Sequence, residues 1–186
     1  MAKPLIQVYL PDEDASEKFA SYFIKILKIG DYIGLSGDLG TGKTSFTRFL
    51  LRNLLEKPDL EVASPSFSLV NYYENDNASR EKSDNPIFIA HADLYRLEDA
   101  QEVLELDLLS ILQEGILLVE WPLKAGMFLP RETFALFFAY CQNEKGNFSS
   151  GRMLTINCLE EERARLLVEL VNKFLLEIDL SLEERR

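Results

Sequence analysis

Apolar positions fall into short runs broken by polar or glycine-bearing segments, and their spacing switches between strand-like and helix-like periods. Leu5 to Leu10 reads as a first strand. Asp14-Ala15-Ser16-Glu17 has the spacing of a capping box. The helix it opens carries Phe19, Phe23, Ile26 and Leu27 on one face and stops before Gly30. Tyr32 to Ser36 is a short buried strand, followed by a glycine loop and a helical pattern from Lys43 to about Leu55, ending near Pro58. Strand-like runs follow at Ser68 to Tyr73, Pro86 to Ala92, Ile116 to Trp121, Thr133 to Tyr140 and Met153 to Cys158. Leu104 to Leu112 reads as a short helix. Glu160 to Ile178 reads as a longer one, with an apolar stripe of Leu166, Leu167, Leu170, Val171 and Phe174.

Residues 75–85 hold no large apolar side chain and read as an inserted polar loop, and residues 180–186 read as a polar tail. With no internal repeat, the 186 residues are expected to form one α/β domain, a mixed sheet with flanking helices. Hydrophobic residues make up 47% of the chain, enough for a substantial core. No apolar run approaches the roughly eighteen residues of a membrane span, and Met1 to Pro4 lack an apolar signal region. A cytoplasmic protein without membrane contact is expected. Cys141 and Cys158 sit in apolar runs and, with His91 as the single histidine, are expected to be free thiols rather than a metal site. The net charge of −11 disfavours unaided binding to nucleic acid, which calls for a basic patch.

Chemistry enters at Gly37-Asp38-Leu39-Gly40-Thr41-Gly42-Lys43-Thr44, which fits G-x-x-x-x-G-K-[ST]. Its glycines let the backbone curl so that successive N–H groups face phosphate oxygens, and the helix beginning at Lys43 adds its positive end. Lys43 is expected to reach the β- and γ-phosphates of a nucleotide and the Thr44 hydroxyl to bind Mg2+. The loop also lies between a buried strand and an amphipathic helix, as a P-loop requires. A strand-end acid is needed beside it, and two compete: Glu120 after Ile116-Leu117-Leu118-Val119, and Asp93 after Ile87 to Ala92. A guanine-reading N-K-x-D is missing, since Asn172-Lys173-Phe174-Leu175 lacks the Asp, and so is a Leu-Ser-Gly-Gly signature. GTPases and transporter ATPases are thereby set aside.

These blocks resemble the TsaE family, bacterial P-loop ATPases that support threonylcarbamoyladenosine modification of tRNA. Its G-D-L-G-x-G-K-T is matched by Gly37 to Thr44 and its S-P-T-[FY] switch by Ser64-Pro65-Ser66-Phe67. Its H-x-D-L-Y-R is matched by His91 to Arg96 and its V-E-W-P by Val119-Glu120-Trp121-Pro122. Pro11-Asp12-Glu13 and Gly151-Arg152 also match, so the resemblance covers roughly residues 5 to 158, with Ser66 in place of the switch Thr. It implies an ATP site formed by Gly37 to Ser45, with Glu13 and Gly151 near the nucleoside end. It implies that Glu120 joins Thr44 on Mg2+ and that Asp93 lies near the γ-phosphate, with Lys43, Asp93 and Glu120 forming the catalytic set. Trp121 is expected as a packing wall, Tyr95 and Arg96 as supporting residues, and His91 in a structural role.

The implied partners are a TsaB–TsaD heterodimer, with tRNA met only through that complex. Two other readings stay open from the sequence. One is a kinase for a small metabolite, and the other is a nucleotide-gated binding module with negligible turnover.

Overall fold

The computed structural model describes residues 6–75, 88–142 and 148–184, with residues 142, 148–150 and 180–184 described by their backbone alone. Seven strands form one sheet: β1 (Ile6–Leu10), β2 (Tyr32–Ser36), β3 (Val70–Glu74), β4 (Phe88–Asp93), β5 (Gly115–Glu120), β6 (Phe134–Gln142) and β7 (Phe148–Cys158). Their spatial order is β1-β7-β6-β2-β5-β4-β3. The four central strands, β6, β2, β5 and β4, run parallel, and antiparallel partners close both sides. The helices are α1 (Glu13–Phe23), α2 (Lys43–Leu54) and α3 (Glu161–Glu184). None of the described helices is long and apolar enough to cross a membrane.

Strand β5 explains the layering. Ile116 and Leu118 pack into the core cluster that contains Phe46, Leu50 and Phe174, from α2 and α3. Leu117 and Val119 join a second cluster with Val103, Leu108 and Ala125, from short 3-10 segments on the opposite face. A strand covered on both faces is apolar throughout, as parallel strands usually are. The same alternation turns Ile89 to the first face and Ala90 and Ala92 to the second. His91, Asp93 and Glu120 follow the parity of Ile89 and Leu118, so the strand ends deliver them to the face that carries α2. An aromatic cluster ties that layer together: Phe19 lies 6.2 Å from Phe46 and 5.1 Å from Phe174, ring centre to ring centre, and Phe23 lies 5.0 Å from Phe134.

Several expectations need correction. Asp14 does not cap α1; Asp12 does, accepting from the Ala15 N–H at 2.8 Å. Its extended backbone, φ −151°, starts the helix directly after Pro11, and Glu13 and Asp14 fall in the first turn, where the helix dipole favours acids. The helix expected at Leu104 to Leu112 is two 3-10 stretches, Ala100–Leu106 and Leu108–Gln113, broken at Asp107 with φ 46°. A genuine capping box stands there instead, between Asp99 and Glu102. Strand β7 starts at Phe148 rather than Met153, because pairing with β6 carries polar Ser149 and Ser150 into the ladder.

The polar tail expected from Leu180 is helical to Glu184, and Arg185 and Arg186 lie outside the described residues. In α3, Leu167, Val171 and Phe174 are buried, whereas Leu166 faces solvent and Leu170 is half-buried. Arg163 and Ala164 take the buried places instead, and Arg163 makes a two-pronged ion pair with buried Asp31. Of the polar loop at 75–85, Asn75 is buried and donates to the Leu54 carbonyl, while 76–85 lie outside the described residues. Leu5, Pro86 and Ile87, placed at strand starts, lie outside them too. Cys141 and Cys158 are thiols, and the Cys158 thiol donates to the Glu160 carbonyl at 3.2 Å.

Candidate functional site

The glycine loop joins β2 to α2 in backbone conformations that side chains resist. Gly37, Gly40 and Gly42 have φ of 131°, 74° and 103°. A Cβ on Gly37 would also stand 2.2 Å from the Phe138 carbonyl oxygen, so at that position the close approach to β6 admits nothing larger. Gly42 caps α2 and leaves the first N–H groups of the helix facing the loop's concavity. Lys43 is buried and donates from Nζ to the Gly37 and Asp38 carbonyls, each at 2.8 Å. Its ammonium also lies 4.3 Å from the Trp121 ring centre. Burial pushes the Lys43 pKa down, against the opposing pull of Glu120, Asp93 and Asp38.

Thr44, one residue into α2, donates its hydroxyl to Glu120, 2.8 Å from Oε1 and 3.0 Å from Oε2. Glu120 is 2% exposed and Asp93 5%, and the two are register partners at the ends of β5 and β4. Asp93 accepts from the Ser64 hydroxyl at 2.5 Å and from the Tyr95 N–H at 3.0 Å. The two strand-end acids therefore belong to one site. His91 also enters it, with Nε2 3.0 Å from Glu120 Oε1.

A cleft of about 590 Å3 opens here, lined by Leu39, Gly40 and the stretch from Gly42 to Ser45, by Ser64, Ser66 and Phe67, and by Asp93, Tyr95, Arg96, Glu120 and Trp121. Pro65 is buried rather than facing the cleft; its carbonyl accepts from the Leu69 N–H. Leu69 has φ 63° and in turn accepts from the Asp93 N–H, so the segment is tied to the strand end that carries the acid. Phe67 is 89% exposed, with the Arg96 guanidinium 4.8 Å from its ring centre. Trp121 takes a left-handed backbone, φ 59°, which turns the chain off β5 and brings its ring 5.0 Å from Tyr95.

A second cleft of about 260 Å3 shares Gly40, Gly42 and Ser45 with the first. Asp12, Glu13 and Arg152 border it, which places Glu13 beside the glycine loop. Gly151 does not line either cleft. It packs beneath the Tyr9 ring, where a Cβ would stand 2.5 Å from the hydroxyl, and its neighbour Arg152 faces the cleft instead. Arg152 donates to the Thr41 carbonyl at 3.2 Å and stacks 4.5 Å from the Tyr140 ring centre, while the Tyr140 hydroxyl donates to the Leu39 carbonyl at 2.8 Å. The β6–β7 hairpin thus braces the glycine loop from the side opposite β5. Sequence reasoning missed this brace, although Arg152 stood in a matched pair from which only the glycine received a role.

The oxygens of Thr44, Glu120 and Asp93 suit a hard divalent cation. Among the described residues no group of three or more His, Cys, Asp and Glu could hold a metal by itself.

The comparisons with known proteins agree with this geometry. Residues 10–148 match the family model described as threonylcarbamoyl adenosine biosynthesis protein TsaE. A tRNA threonylcarbamoyladenosine biosynthesis protein TsaE from Aquifex aeolicus is 38% identical over 117 residues, which is 63% of this chain and 77% of that protein. The protein of the same name from Borreliella burgdorferi is 32% identical over 142 residues, 75% of this chain and 90% of its own. The crystal structure of Bacillus subtilus YdiB superposes with a TM-score of 0.67 at 21% identity, covering 93% of this chain and 97% of that one, and so shares the P-loop NTPase-like fold. With the family model matched from the end of β1 into the β6–β7 hairpin, the chain belongs to the TsaE family of threonylcarbamoyl adenosine biosynthesis proteins.

Proposed function

We propose that this protein binds Mg-ATP in the joined clefts and hydrolyses it in support of threonylcarbamoyladenosine formation on tRNA, as an accessory subunit of a TsaB–TsaD complex. One observation carries the catalytic part. The Lys43 ammonium, the Thr44 hydroxyl and the buried Glu120 and Asp93 carboxylates converge at the N-terminus of α2, in a cleft large enough for a nucleotide.

The glycine loop and Lys43 would bind the phosphates, with the Lys43 ammonium exchanging its carbonyl partners for phosphate oxygens. Thr44 and Glu120 would hold Mg2+, whose chemistry is to neutralise charge on phosphate oxygens during transfer. Asp93, anchored through Oδ1 and Oδ2 by Tyr95 and Ser64, would orient the attacking water. Trp121 and Tyr95 wall the cleft, with the Trp121 ring against the Lys43 ammonium. Glu13 and Arg152 stand where the nucleoside end would extend past Gly40 to Gly42.

Charge supports the indirect relation to tRNA. At a net −11, the protein lacks the excess of cations that would replace counterions on a phosphate backbone. The exposed Phe67 in the Ser64 to Phe67 segment supports a nucleotide-sensing switch facing a partner. A product assay tests the reading against kinase chemistry: incubation with Mg-ATP should yield ADP and free phosphate. ADP with a phosphorylated small acceptor would contradict it.

A further inference from the structure

Of the two side chains that hydrogen-bond Glu120 among the described residues, Thr44 has a task in the proposed site and His91 has none. His91 is fully buried on β4, its Nδ1 has no hydrogen-bond partner among the described residues, and its Nε2 meets Glu120 Oε1 at 3.0 Å. Away from the strand ends that carry Asp93 and Glu120, the neighbouring positions of the same parity on β4 and β5 are apolar, Ile89, Ile116 and Leu118. A leucine would fill such a place without leaving a buried nitrogen unpaired, which is costly. Among the described residues, the polar contact the imidazole makes is to the carboxylate. Against a carboxylate oxygen, Nε2 is the ring nitrogen placed to donate.

The Glu120 carboxylate accepts from two side chains among the described residues, Thr44 and His91. The Thr44 hydroxyl has one hydrogen and stands within reach of both carboxylate oxygens, so it sets no single orientation of the group. His91 contacts Oε1 alone, from a ring locked in the core. We propose that His91 is a positioning residue that donates from Nε2 to Glu120, fixing the carboxylate plane and holding Oε2 toward the cleft as a metal-directed oxygen. This rests on the Mg-ATP reading of the site and gives the buried histidine a role beyond packing. Partners one step behind a metal-binding group commonly alter metal affinity about 10- to 100-fold when removed.

The test compares the parent with His91→Gln and His91→Leu. Glutamine can present an N–H near the place of Nε2, whereas leucine fills the space and donates nothing. Binding of a non-hydrolysable ATP analogue is followed by calorimetry across a Mg2+ titration, and again with the metal chelated. In His91→Leu the Mg2+ requirement should rise about ten-fold while metal-free analogue affinity stays at the parent's, and His91→Gln should recover most of the loss. Equal effects of Gln and Leu, or no change in either, would overturn the proposal. A parent with no Mg2+ dependence would fail before any variant is made, overturning the site reading as well. Because His91 is the single histidine, 15N spectra of the untagged parent report it without assignment. They should show a hydrogen on Nε2, with the signal moving in Glu120→Gln. A hydrogen on Nδ1 alone would overturn the proposal however the variants fold.

Discussion

Lys43 is the residue on which nucleotide affinity should depend most steeply. It is the buried cation of the cleft, and charged hydrogen bonds contribute about 1.5–3 kcal/mol each. Lys43→Ala should therefore weaken Mg-ATP binding about 10- to 100-fold by calorimetry; undiminished affinity would remove the site assignment. The two acids should fail differently. Glu120→Ala should raise the Mg2+ needed for binding, since a metal ligand acts in the ground state. Asp93→Ala should keep most nucleotide affinity and lose turnover about 100-fold or more, since an orienting group is felt in the transition state. Finding metal dependence intact in Glu120→Ala and lost in Asp93→Ala would exchange the roles. Much at this scale is legible in the sequence, because a glycine loop states its backbone demands in residue types: Gly37 stands where a Cβ would strike the Phe138 carbonyl. Contacts that depend on which strands become neighbours are not legible. His91 meeting Glu120, and Arg152 meeting Thr41 and Tyr140, arise only after β4 aligns with β5 and β7 with β6.

Elements were legible where period and punctuation agree. Strand β2, Tyr32–Ser36, and helix α2, starting at Lys43, fall where the pattern puts them. Boundaries slipped where tertiary pairing outweighs local preference, as in the polar start of β7 and the helical turn continued past Leu180. Arg163 is the most consequential miss, since a charge on the buried side of an amphipathic helix interrupts the expected stripe. Its guanidinium pairs with Asp31 through both nitrogens, donates to the Ile26 carbonyl at 2.6 Å and lies 4.6 Å from the Phe134 ring centre. Asp31 also accepts from the Lys28 N–H at 2.9 Å, so the pair clasps α3 to the turn before β2. Despite the opposing effect of burial, Asp31 and Glu160 hold the Arg163 pKa above its ordinary value. Arg163→Ala would strand a buried carboxylate and should cost about 3–5 kcal/mol in urea unfolding. A loss under about 1 kcal/mol, the range of an exposed pair, would mean that the clasp is solvated.

At the scale of the whole molecule, acidity and the placement of the clefts point the same way. The exposed Phe67, Arg96 stacked on it, and Leu39 at 61% exposure surround the mouth of the larger cleft, so a partner seated there would sense the nucleotide directly. The isolated protein should give no shift with tRNA in a gel at physiological salt, and a tight, salt-sensitive complex would overturn the charge reasoning. The most direct test of the central proposal is phosphate release from Mg-ATP, measured for the parent and Lys43→Ala with and without purified TsaB–TsaD. Release by the parent, rising when the pair is added and abolished in Lys43→Ala, is the expected result. No release by the parent under either condition, or equal release by Lys43→Ala, would contradict it.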